Sequence, residues 1–211
     1  KLSVNCILIL IPYTFMQHHI YNTEGFVLGS LPHCEANSFI YIFTRELGLV
    51  GARAQSVRTV SSKLRFSLQD FSYAKVSLVR GKNVWRITNA TLINNFHTDF
   101  KNEPEKAVVC ANVFALLKKL LAGEEKNAEL FGIISDGLLF LKNSCEKGDV
   151  SQTELLLVLK ILHNLGYICD HSKLESFINI PEWSREVLQE MLSIKNEALL
   201  HVNNALKASQ L

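Results

Sequence analysis

The sequence has no GxxxxGK loop, no HExxH and no GxSxG. It therefore lacks the backbone cradle for a nucleotide phosphate, the zinc-and-base pair of a metalloprotease and the serine elbow of a hydrolase. Acids are sparse in the first 99 residues, where only Glu24, Glu35, Glu46, Asp70 and Asp99 occur, widely separated. That spacing excludes a carboxylate cluster able to hold Mg²⁺ for nuclease chemistry. The five cysteines, at 6, 34, 110, 145 and 169, include no CxxC pair. An odd, scattered set points to free thiols in a reducing compartment. Cys169-Asp170-His171, with Cys145 and His163 upstream, is the nearest approach to a metal pattern. It does not supply the four closely paired ligands of a structural zinc site, and the adjacent His18-His19 reads as chance. No cofactor, no metal and no catalytic residue are expected.

No apolar run is long enough to span a bilayer. The longest near the start, Cys6–Ile11, falls far short of the ~20 residues required. One leading Lys and no small-residue cleavage site make a signal peptide a poor fit. The simplest reading is that residues 1–15 are an upstream extension or disordered and that the protein proper begins at Met16. An extra edge strand or a membrane-touching tail is the rival reading.

What the sequence does have is an asymmetry of charge and of period. Residues 1–99 carry ten Lys or Arg against five Asp or Glu, and residues 100–211 carry twelve against fifteen. A polyanion would be held by the basic front half. From Tyr21 to about Phe96 the pattern is one of short β-branched and aromatic runs: Thr23–Leu31 ending at Pro32, Ser38–Thr44, Leu47–Arg53, Phe71–Val79 and Val84–Ile93. Arg80-Gly81-Lys82-Asn83 is a tight-turn signal that makes the last two a hairpin. Five strands in so short a span suit a small barrel of the OB type.

After Phe100 the period changes to that of helices. Glu103-Pro104-Glu105 opens a run with Val109, Val113, Leu116, Leu117 and Leu120 on one face, and Leu130–Leu141 repeats the spacing. Ser151-Gln152-Thr153-Glu154 has the form of a capping box before Leu155–Leu165, and Trp183–Ala208 reads as one last long helix. The predicted fold is thus α+β: an OB-type barrel over 16–98 and an all-helical domain over 102–211.

Several stretches resemble RecO, a family of DNA repair and recombination mediators. They are Tyr21-Asn22-Thr23-Glu24-Gly25-Phe26-Val27-Leu28, His33-Cys34-Glu35-Ala36-Asn37 and Phe43-Thr44-Arg45-Glu46-Leu47-Gly48-Leu49. Ser62-Lys63-Leu64-Arg65 with Leu68-Gln69-Asp70-Phe71-Ser72, Leu165-Gly166-Tyr167 and the ending Asn204–Leu211 are similar to later parts of the family. The resemblance runs from about Met16 to the C-terminus. Cys34 stands where a small turn residue, usually Gly, is expected, Asp70 where Pro is frequent, and Gln55-Ser56-Val57 where Lys and Gly are common. The chain resembles the zinc-free members.

The resemblance implies a cytoplasmic, nucleoid-associated bacterial protein that binds single- and double-stranded DNA and anneals complementary strands. It also implies help in loading recombinase onto strands coated with single-strand-binding protein, with RecR and that protein's C-terminal tail as partners. Such work needs cations spaced to meet phosphates. Arg53, Arg58, Lys63 and Arg65 form one candidate group; Arg80, Lys82 and Arg86 with Arg45 form a second. Phe66 and Tyr73 are the candidate base-stacking rings, whereas Phe39, Tyr41 and Phe43, on one face of one strand, are read as core. The tail would need an apolar hollow in the helical half beside a cation such as Lys118, Lys119, Lys142 or Lys160. An OB module for RNA and a protein-recruiting adaptor are the alternative readings.

Overall fold

The computed structural model describes residues 19–168 and 172–209. The expectations for residues 1–15, for His18 and for Cys169-Asp170-His171 lie outside them. Among the described residues five strands come first: β1 (Ile20–His33), β2 (Asn37–Thr44), β3 (Gly48–Ala54), β4 (Ser72–Arg80) and β5 (Trp85–Asn95). They close into a barrel in the order β1-β2-β3-β5-β4, the OB arrangement. All pairings are antiparallel except β3 with β5, where Ala52–Ala54 run parallel to Trp85–Ile87. The long first strand makes closure possible. Its front half, Ile20–Phe26, pairs with β4, and Gly25–His33 pairs with β2, with a bulge between Val27 and Gly29 that re-aims it. Pro32 does not end β1 as the sequence suggests; it still pairs with Ser38. At that point β1 has left β4, so the missing proline N–H faces no partner strand.

Alternate residues of β2 and β3 fill the barrel: Ile40 and Ile42 with Val50, Ala52 and Ala54, against Val76 and Leu78 of β4. Val57 and Leu68, from the turn-rich connection after β3, plug the same core. β2 therefore turns its aliphatic side inward. Its aromatic side, Phe39, Tyr41 and Phe43, points out of the barrel, the reverse of the core role the sequence pattern suggests for it. Phe43 alone is fully buried, because α3 covers it through Phe131, 5.7 Å away ring to ring.

Seven helices follow among the described residues: α1 (Phe96–Asp99), α2 (Pro104–Leu120), α3 (Ala128–Asn143), α4 (Val150–Asn164), α5 (Ser172–Ile178), α6 (Arg185–Met191) and α7 (Lys195–Ala208). Pro104 occupies the first turn of α2, as its sequence predicts. The supposed capping box does not cap. Buried Val150 is drawn into the core and α4 begins with it, so Ser151 lies inside the helix and its hydroxyl donates to Gln152. The C-terminal helix is also not continuous. A 3-10 turn over Leu192–Ile194 separates α6 from α7, and the Ser193 hydroxyl donates to the Glu190 carbonyl there. α5 was not evident from the sequence.

The barrel and helices share one core. Phe26, Leu28 and Phe43 of the barrel pack with Phe114 and Leu117 of α2 and with Phe131 and Ile134 of α3. Cys110 belongs to this core, and burial pushes its thiol up to about 12. A further core joins α4 to α5, α6 and α7. Lys160 of α4 reaches into that region, where its ammonium donates to the carbonyls of Ile178 (3.2 Å) and Ile180 and lies over Trp183. Burial lowers its pKa.

Candidate nucleic-acid interface

The strand registers set residues in rows across the outside of the barrel. Leu31 of β1 lies opposite Phe39 of β2, Phe39 opposite Arg53 of β3, and Arg53 beside Arg86 of β5. The next row is Gly29, Tyr41 and Gly51. Two cations that lie in separate sequence groups thus become neighbours. The Nε of Arg53 is buried and has no hydrogen-bond partner among the described residues. An unsatisfied buried donor of this kind costs about 1–3 kcal/mol unless a ligand or water meets it.

Arg58 stands at the same end of the face as the β1–β2 turn. Its backbone N–H donates to Ala36 at 3.0 Å and its guanidinium to the Cys34 carbonyl at 3.2 Å. Lys63, Arg65 and Phe66 are exposed along the connection between β3 and β4, Phe66 by 65%. Lys82 is exposed in the β4–β5 turn. Among the described residues none of Arg53, Arg58, Lys63, Arg65, Lys82 and Arg86 is in an ion pair.

Two of the eight candidate cations are engaged elsewhere. Arg80 is paired with Glu124, whose other carboxylate oxygen accepts from the Trp85 indole at 2.9 Å. Arg45 lies in the turn at the opposite end of β2. There it stands 3.8 Å from Glu24 and over the Phe131 ring, bordering a polar groove of about 450 Å³ on the β1–β4 side. Tyr73 faces the same region and not the row of cations. Its ring stacks on Phe26 with centroids 4.6 Å apart and its hydroxyl donates to Glu24 at 2.6 Å. Burial first, and that carboxylate second, raise its pKa to about 12. It is a packing residue of the shared core.

The structure adds side chains that sequence patterning did not single out for this face. Phe39 and Tyr41 remain half-buried on the outside, ring centroids 5.3 Å apart and nearly perpendicular. Lys118 of α2 brings its ammonium to 5.1 Å from the Tyr41 ring. Every residue of β2 from Phe39 to Phe43 is apolar, so alternation alone could not say which side faces in. The one available signal was Gly51, a residue without a side chain in the neighbouring strand.

An OB barrel with an outward basic row, carried on helices, is the class of protein that this fold and surface define. Residues 16–96 match the family described as Recombination protein O N terminal. The DNA repair protein RecO of Thermodesulfovibrio yellowstonii is 29% identical over 153 residues, covering 71% of this chain and 59% of that protein. That of Heliobacterium modesticaldum is 30% identical over 151 residues, 70% of this chain and 52% of the relative. That of Dehalococcoides mccartyi is 29% identical over 171 residues, 76% and 65% respectively. The chain is thus similar to RecO proteins over 70–76% of its own length, and the match spans about half to two thirds of these relatives' length. No described helix is long and apolar enough to cross a membrane.

Proposed function

We propose that this chain is a non-enzymatic recombination mediator. It binds single- and double-stranded DNA, anneals complementary strands, and helps load recombinase onto strands coated with single-strand-binding protein, in concert with RecR. The observation that carries the reading is the unpaired basic row. Arg53 and Arg86 stand in register on the outer sheet, Arg58 at its end, Lys63 and Arg65 along the adjoining connection, and Lys82 in the β4–β5 turn. Cations without acidic partners meet phosphates without first breaking an internal ion pair, and they release the counterions that drive polyanion binding. The work divides between a barrel over 16–98 and a helical domain over 102–211. The helical half contributes a partner site, an apolar hollow of about 380 Å³ between α2, α4 and α7. Leu116, Leu155, Val158, Leu199 and Val202 line it and Lys195 stands at its wall. Glu154 also lines it but accepts from Asn112 at 2.8 Å, and we take this apolar floor with Lys195 as the docking candidate for an acidic tail with an apolar end, in preference to Lys118, Lys119, Lys142 and Lys160.

The test is competition between DNA and RNA strands of one sequence for a labelled single-stranded DNA. The mediator reading expects DNA to compete at least as well as RNA, and complementary strands to anneal faster with the protein present. Clear preference for RNA would favour the OB module for RNA, and no binding of either would leave the adaptor reading.

A further inference from the structure

The outer face of β2 carries more than charge. Tyr41 lies between two glycines, Gly29 on one side and Gly51 on the other, so no side chain from the flanking strands stands beside it in its row. The two vacated places are used by specific groups. A Cβ at Gly51 would come within 2.6 Å of the Phe39 ring, and one at Gly29 within 3.3 Å of the Lys118 ammonium. Phe39 thus leans across β3 and Lys118 leans across β1, and both converge on Tyr41. Neither aromatic ring is packed into the barrel core or the core shared with the helices. Phe43, on the same face, shows the contrast, since Phe131 buries it completely. Two half-buried rings outside both cores, one laid over Gly51 and the other under the Lys118 ammonium, with Arg53 opposite Phe39, form a surface of aromatic edges and faces with cations beside them.

We propose that Phe39 and Tyr41, with Lys118 of α2, form a stacking site for the unpaired bases of a single strand. The inference rests on the DNA-binding reading above and deepens it by naming the substrate class of this face. A base has two apolar faces and a phosphate on either side. Phe39 and Tyr41 offer aromatic surface for the base, while Arg53 and Lys118 stand where its flanking phosphates would run. A duplex keeps its bases stacked on one another and cannot lay one on Tyr41 without unpairing it. The site therefore selects single strands, whereas the basic row alone would accept either form. Because Lys118 comes from α2, the bound strand passes from the barrel toward the helical half.

The experiment measures affinity of the full chain for a labelled single strand and for a duplex of the same sequence, at several salt concentrations. The variants are Phe39→Leu, Tyr41→Leu and Lys118→Gln. Each Leu variant is expected to weaken single-strand binding on the order of tenfold with an unchanged salt slope, because stacking releases no counterions. The preference for single strand over duplex should fall with it. Lys118→Gln should instead make the slope shallower by about 0.7. Since a Leu variant could unfold, the unaltered protein is also photo-crosslinked to strands containing 5-iodouracil, with attachment expected at Phe39 or Tyr41. Leu variants that stay folded and keep full single-strand affinity, or crosslinks that map only elsewhere, overturn the stacking site while leaving DNA binding intact. A chain that binds no single strand at all overturns the functional reading itself.

Discussion

Cys34 holds a backbone conformation that its side chain disfavours. Its φ is +56°, in the tight turn between β1 and β2. The Arg58 guanidinium grips that turn through the Cys34 carbonyl at 3.2 Å. The left-handed region costs an L-residue with a Cβ about 1 kcal/mol that glycine avoids. Cys34→Gly is therefore expected to stabilise the fold by roughly that amount, ~1 kcal/mol, read as a higher urea midpoint with unchanged slope. A lower midpoint would mean that the exposed thiol contributes packing the turn needs. The resemblance to RecO implied a small residue here; the link to Arg58 was not legible, because it joins residues 24 apart. The same limit applied to β2. Its existence was plain from its composition, but an apolar residue at every position from Phe39 to Phe43 leaves the inward side undetermined until a partner strand is known.

The elements themselves were largely legible. The Arg80–Asn83 turn signal and the β-branched and aromatic runs placed five strands to within a few residues, and Pro104 marked the start of α2. The capping box failed because tertiary packing overrode local chemistry, Val150 being drawn into the core, whereas the last helix breaks at the exposed 3-10 turn Leu192–Ile194. The segment between α2 and α3 carries a contact no local pattern could show. It docks on the start of β3, where Leu49 donates to the Gly123 carbonyl at 3.0 Å and Lys126 pairs with Glu46 at 2.5 Å. Gly48 permits that approach. Its φ is +70°, and a Cβ there would stand 2.2 Å from the Glu125 carbonyl oxygen. Gly48→Ala would combine backbone strain with a clash against main chain, and should cost about 2 kcal/mol or more of stability in urea unfolding. A loss below ~0.5 kcal/mol would show that this segment is not held against the barrel as described.

At the scale of the molecule, the change of period near Phe100 marks a change of element type but not a break in packing. The aromatic rings of Phe26 and Phe131, 4.9 Å apart, join the barrel to α3 across that point. This shared core was not readable from the sequence, since the pattern gives each element a buried side without naming what covers it. It has a functional consequence: the helices cover the Phe43 end of the outer sheet and leave the end bearing Phe39, Arg53 and Arg86 uncovered. The central claim is that this basic side meets phosphates, and salt dependence tests it most directly. Single-stranded DNA affinity is measured by fluorescence anisotropy at several salt concentrations, with circular dichroism as the folding control. About four phosphate contacts at ~0.7 each predict a log–log slope near −3, a weakening on the order of 60-fold between ~50 and ~200 mM salt. Replacing Arg58 and Arg65 together by Ala should make the slope shallower by about 1 to 1.5 and slow strand annealing. The fold should survive, because both side chains are exposed and the single Arg58 hydrogen bond to the Cys34 carbonyl is worth about 1 kcal/mol. A double variant that stays folded and keeps both the affinity and the slope of the unaltered protein would contradict the assignment of these two cations to the DNA.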